Sequence, residues 1–266
     1  MTSTTRARLA LASLTVAFAA LASSLFALRA SAAAPMLETA GFHTGMTFQE
    51  AMARLKAYRP ALEIKTQQRQ IPELGPGYMV SMIYASTPSS NTPNADAERI
   101  NLSISYLPNT PSVLGIDRDV IYSDKSAPTI VDTVAALRAK YGREMLGFGS
   151  RQIYWGWDEA GRPIGEVQMR ACGAFVGLSY MMNEESEINR PAPIPSNAHV
   201  CAKSHLIMAN IVPADNPALV HALSIMMTDV GLGIDSMTRS REVRMGVQQK
   251  GASDAVKRAG QNKPKL

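Results

Sequence analysis

Cys172, His199, Cys201, His205 and His221 are the side chains of this sequence best suited to chemistry. Thiolate and imidazole together ligate zinc or copper, and a thiolate beside an imidazole base is a nucleophile. Both readings need free thiols. The spacing matches no closed structural zinc pattern, and two cysteines in a chain with the export features described below pair first with each other. The expectation is a Cys172–Cys201 disulfide with no metal and no cofactor. The His199/His205/His221 region stands as the alternative, a metal-binding protein or an enzyme.

The other catalytic signatures are missing. The sequence holds no H-E-x-x-H, G-x-S-x-G or P-loop and no G-x-G-x-x-G opening a helix after a strand, and Gly231-Leu232-Gly233 reads as a turn. No catalytic residue is assigned. Trp155 and Trp157 would form a platform for carbohydrate or peptide if they faced solvent, and core if they faced inward. Glu184, Glu185 and Glu187 sit beside Pro191, Pro193 and Pro195 in a loop spanning 183–196, either a binding loop or a passive insertion. That loop lies between the two cysteines, so a disulfide would tether it at its base.

Those residues depend on a scaffold that changes period along the chain. Thr47 to Ala57 and Thr129 to Ala139 resemble each other: each opens with Thr followed three residues later by an acid, Glu50 or Asp132. A Thr hydroxyl can accept the amide at the third helical position while the acid there reaches back, so each segment reads as a capped helix. Phe48, Met52 and Leu55, and Ile130, Val134 and Leu137, give each helix one apolar stripe.

After each helix the alternation becomes two. Ile100, Leu102, Ile104 and Tyr106 form one half-buried strand, and Ile153, Trp155 and Trp157 another. The latter runs through a turn at 158–162 into Val167, Met169 and Ala171, predicting a hairpin that ends at Cys172. Further strands are expected at 78–85, 113–122, 174–182 and 205–212, and a loop at 86–97. Residues 218–229 fit a strand with Leu219, Leu223, Ile225 and Met227 inward, or a helix capped by Asn216 with Pro217 at its first position; the strand is preferred. A polar helix at 235–249 closes the fold. Turn-length connections make the sheet mostly antiparallel.

The fold class is thus α+β, an antiparallel sheet packed by amphipathic helices, arranged as two tandem helix-plus-sheet repeats. The expected divisions are a signal peptide at 1–32, units at 33–124 and 125–249, and a disordered basic tail at 250–266. Arg6 and Arg8, a charge-free run from Leu9 to Leu28 and Ala30-Ser31-Ala32 supply the three parts of a secretory signal, which predicts a periplasmic or secreted protein. The same run, if uncleaved, could anchor the chain in a membrane. Past the signal the charge is uneven: 33–238 carries a net −4, whereas eight basic residues from Arg239 onward face only Glu242 and Asp254. That tail could touch anionic surfaces, and no nucleic-acid partner is implied.

Gly45-Met46-Thr47-Phe48-Gln49-Glu50-Ala51 resembles the opening of small exported α/β modules of the SmpA/OmlA type, the outer-membrane assembly lipoproteins, and of the tandem β-lactamase-inhibitor-protein fold. Lys140-Tyr141-Gly142 is similar to the helix exit in other secreted bacterial proteins of this kind. The resemblance implies a helix packed on an antiparallel sheet. With no catalytic set, the expected function is an exported binding or interaction module for protein or cell-envelope components.

Overall fold

The computed structural model describes residues 37–70, 78–88, 95–105, 108–149, 151–177 and 198–260. The expected signal segment, Glu184, Glu185 and Glu187, and the loop holding them lie outside these residues.

The first described elements form a hairpin, β1 (Glu38–Thr39) and β2 (Phe42–His43), closed by Ala40 and Gly41 at φ of 52° and 84°. Two consecutive positive φ values make the tight turn whose twist matches that of paired strands. Helix α1 (Phe48–Tyr58) follows with a complete capping box: Glu50 N donates to Thr47 Oγ1 at 3.2 Å and Thr47 N donates to Glu50 Oε2 at 2.8 Å. Then come β3 (Glu63–Gln70), β4 (Tyr78–Ser86), β5 (Ala97–Ile104) and β6 (Val113–Ile121). Helix α2 (Ile130–Tyr141) starts a second round, capped by Thr129 and followed by β7 (Leu146–Phe148) and β8 (Gln152–Asp158). An inserted segment holds α3 (Glu166–Cys172), a 3-10 turn at Gly173–Gly177 and α4 (Ala198–Cys201); β9 (Ser204–Pro213), β10 (Val220–Asp229) and α5 (Val230–Gly260) complete the fold.

All the larger strands join one eight-stranded antiparallel sheet, ordered β3-β4-β5-β6-β10-β9-β8-β7. The order is that of two helix-plus-four-strand units joined through their last strands. The backbone bonds repeat with the fold. Phe48 N bonds Pro111 O and Val113 N bonds Met46 O; in the second unit Ile130 N bonds Ala218 O and Val220 N bonds Pro128 O. The register also slips at matching places, past Leu114 in β6 and past His221 in β10. These matches equate Val113 with Val220 and place Arg118 opposite its own counterpart, Ile225, on a pseudo-twofold axis.

Both helices cover the same face. Ala51 and Leu55 of α1 and Leu137 of α2 pack with Ile83, Ile100, Leu102, Ile116, Ile153, Ile207 and Ile225 in the main core. Trp155, fully buried, donates Nε1–H to Gly142 O at 2.9 Å and packs against Tyr141 with the rings tilted at 57°. On the opposite face the inserted segment lays Ile164, Met169, Cys172, Phe175 and Val176 over Leu206 and the partly buried Tyr154, Met208 and Met226.

The inserted segment corrects two expectations. Val167, Met169 and Ala171 lie on α3 and not on a hairpin strand, because β7 and β9 already occupy both edges of β8. Met169 and Cys172 are buried three residues apart, a helical spacing that the alternation had masked. Residues 173–177 form a 3-10 turn where a strand was expected, and 178–182 lie outside the described residues. Residues 220–229 are a strand, as the preferred reading had it. Helix α5 begins immediately after β10 and takes in Gly231 and Gly233, read above as a turn; Asp229 Oδ1 caps it by accepting Leu232 N at 3.0 Å. Residues 250–260, assigned above to a disordered tail, continue that helix with every side chain exposed.

Candidate functional site

The inserted segment is held at its base by a disulfide between Cys172 and Cys201, both fully buried, with Cα atoms 5.5 Å apart. The two sulfurs are spent on each other. His205, at the start of β9, directs Nδ1 to Asp229 Oδ2 at 3.2 Å, and that hydrogen bond raises its pKa against the effect of burial. His221 lies at the far end of β10 from Asp229, eight strand positions or about 26 Å away. His199 lies on the backbone of α4. Among the described residues no group of three or more His, Cys, Asp or Glu side chains is arranged to hold a metal. The fold thus separates His221 from His205. Trp155 and Trp157 are 0% and 8% exposed, so neither offers a solvent-facing platform.

Two polar clusters that sequence reading missed stand on the central strands, one on each face. On the open face, cross-strand partners make a polar row of Ser86, Arg99, Asp119, Ser224, Asn210 and Gln152. Arg99 grips Asp119 Oδ2 through both Nε and Nη2, and Ser224 Oγ donates to Asp119 Oδ1. The next row, Ala97, Ile121, Ala222 and Val212, is apolar, with Ile121 and Val212 exposed. Ser86, Arg99, Asp119 and Ser224 of the first row and Ala97, Ile121 and Ala222 of the second line a groove of about 310 Å³. On the inner side of the polar row Asn101 Nδ2 donates to Asp117 Oδ2 at 3.2 Å. Asn101 Oδ1 and Asp117 Oδ1 are buried with no hydrogen-bond partner among the described residues. Burial, and then the charge of Asp119, push the Asp117 carboxyl above the ordinary aspartate range.

The pseudo-twofold axis explains why this groove is open. It carries Arg99 and Asp119 onto Met208 and Met226, and Ala97 and Ile121 onto Leu206 and Thr228. In the second unit that surface is capped: Thr228 Oγ1 donates to Val176 O at 2.6 Å, and Ile164 and Met169 press against Gly156. The capping segment is the β8–β9 connection, from Asp158 to Ser204. Its counterpart from Ser86 to Ala97 is several times shorter and carries no corresponding helix among its described residues.

The second cluster lies on the helix face. Glu98, 4% exposed, accepts from Arg118 Nε at 2.7 Å and Tyr58 Oη at 3.0 Å, and pairs with Arg59 Nη1 at 3.1 Å. Arg118 Nη2 donates to Tyr58 Oη at 3.3 Å. Burial pulls the guanidinium pKa down, but the hydrogen bond and charge of Glu98 more than offset it. Burial likewise raises the Tyr58 and Tyr122 phenols and pushes Tyr141 up to about 12. The sequence signal for both clusters was charge inside strand alternation, Glu98 before Ile100 and the run Asp117-Arg118-Asp119 after Ile116.

No protein-family model, curated protein or solved structure matches this chain.

Proposed function

We propose that this is an exported binding module whose first unit receives a segment of a partner protein on the open face of its sheet. The carrying observation is the internal asymmetry: the second unit caps that face with its own insertion, whereas in the first unit Arg99 and Ile121 of the corresponding strip are exposed. The cap indicates the occupant, a short helical segment with aliphatic side chains for the Ala97–Ile121 row and a polar group for the Arg99–Asp119 pair. Export is supported by the charge-free leader sequence and the disulfide. Among the described residues no helix is long and apolar enough to cross a membrane.

A photocrosslinking amino acid at position 121, expressed in the native envelope, is expected to give a defined protein adduct that the blocking substitution Ala97→Arg abolishes. The same probe at position 131, exposed on α2 on the other face, gives none. Equal labelling from both positions, or an adduct indifferent to Ala97→Arg, would overturn the reading.

A further inference from the structure

On the helix face, independent of the reading above, the two units differ at one buried pair. The pseudo-twofold carries Glu98 onto Ile207 and Arg118 onto Ile225, both in the apolar core. Where the second unit packs two isoleucines, the first buries a carboxylate and a guanidinium whose side chains are 3% and 21% exposed. Replacing a buried ion pair by apolar residues is commonly neutral or stabilising, because the desolvation cost of two charges disappears. The second unit demonstrates that this architecture folds with isoleucine at both places. Folding alone does not account for the pair.

What Arg118 gains by standing there is a position in the floor of a cleft of about 400 Å³. The floor is amphiphilic: Arg118 on one strand, Leu223 and Ile225 on the other. Ala136, Leu137 and Lys140 of α2 wall one side, and the β1–β2 turn the other. The turn residue lining it is Ala40, the single non-glycine residue with positive φ among those described. Glu98 holds Nε, Tyr58 takes Nη2, and Nη1 has no hydrogen-bond partner among the described residues. The Tyr122 side chain is in the same lining, and its hydroxyl makes no hydrogen bond among the described residues. Lys140 is paired to Glu38 at its rim.

We propose that this cleft is a binding site for a small organic anion, an acid group on an apolar body. Arg118 Nη1 and the Tyr122 hydroxyl hold the acid group, and Leu223, Ile225, Leu137 and Ala136 cover the body. Glu98 acts as a positioning residue, fixing the guanidinium plane from beneath.

The test uses two fluorescent probes on the whole exported chain: 8-anilinonaphthalene-1-sulfonate and its uncharged relative N-phenyl-1-naphthylamine. The sulfonate is expected to bind saturably at one site. The double substitution E98I/R118I, which copies the second unit, weakens it by at least about tenfold while the neutral probe changes less than about twofold. The melting temperature of that variant does not fall below wild type. Tyr122→Phe, which removes one hydroxyl, weakens the sulfonate by about threefold to tenfold and serves as the deciding variant if E98I/R118I fails to fold. Unchanged sulfonate affinity in both variants, equal loss of both probes, or no saturable binding to wild type would overturn the proposal.

Discussion

Reducing the Cys172–Cys201 bridge is expected to lower stability by an amount set by the loop it closes. The cysteines are 29 positions apart. In the chain-entropy treatment, closing a loop of that length removes about 12 cal/mol/K from the unfolded ensemble, or about 3.6 kcal/mol at room temperature. For a domain of this size each kcal/mol moves the midpoint by about 2–4 °C, so the bridge is worth about 7–14 °C. The assay is thermal unfolding of the oxidised protein, the reduced protein and C172A/C201A. Reduction isolates the crosslink, while the alanine pair also removes two buried sulfurs from the cluster with Met169, Phe175 and Leu206, so it is expected to melt slightly lower still. Hydrogen exchange of α3 and the 3-10 turn should accelerate before that of β9 and β10. A reduced protein melting within about 2 °C of the oxidised one would refute the reasoning, because the bridge would then not constrain the unfolded chain.

Gly156→Ala would bring a Cβ to 2.7 Å from Ile164 Cδ1 and 2.9 Å from Met169 Sδ. It is expected to cost about 1–3 kcal/mol in urea unfolding, with partial rescue by Ile164→Val, which deletes the nearest carbon; a neutral effect would mean the inserted segment does not press on β8. The His205 pKa is raised by its hydrogen bond to Asp229. Its contribution is therefore full below the unfolded value near ~6.5 and lost as pH rises through the higher folded value. His205→Gln should destabilise more at about pH 5.5 than at about pH 9, read from urea midpoints at both; the opposite order would show that burial dominates the pair.

The parts of the fold legible in the sequence were those with local causes. Thr47 and Thr129 announce their helices because a hydroxyl and an acid three residues on act within one turn. Strand β8 was legible because three large apolar side chains alternate, and the disulfide because the chain holds only two cysteines. Strand β3, with the sequence EIKTQQRQ, was not legible: it is an edge strand with a single aliphatic side chain, so no alternation marks it. Residues 166–172 satisfy both a two-residue and a three-residue period, and the choice is made by the occupied edges of β8, a long-range fact. The polar clusters were missed for a similar reason. Glu98 and Arg118 are strand neighbours only through register, and their oddity appears only beside Ile207 and Ile225 of the other unit.

The joining of the two units through β6 and β10 also decides where the sheet ends. A strand margin presents unpaired amides and carbonyls that recruit other chains, and long apolar margins aggregate. Here the last strands of the two units satisfy each other at the centre, leaving β3 and β7 as the outer margins. One margin carries Glu63, Lys65 and a run of glutamines, and the other is three residues long. The pairing of β6 with β10 thereby turns two open margins into an internal seam. A single unit cut free between Ile121 and Ile130 would recover that adhesive margin and pair with another copy of itself.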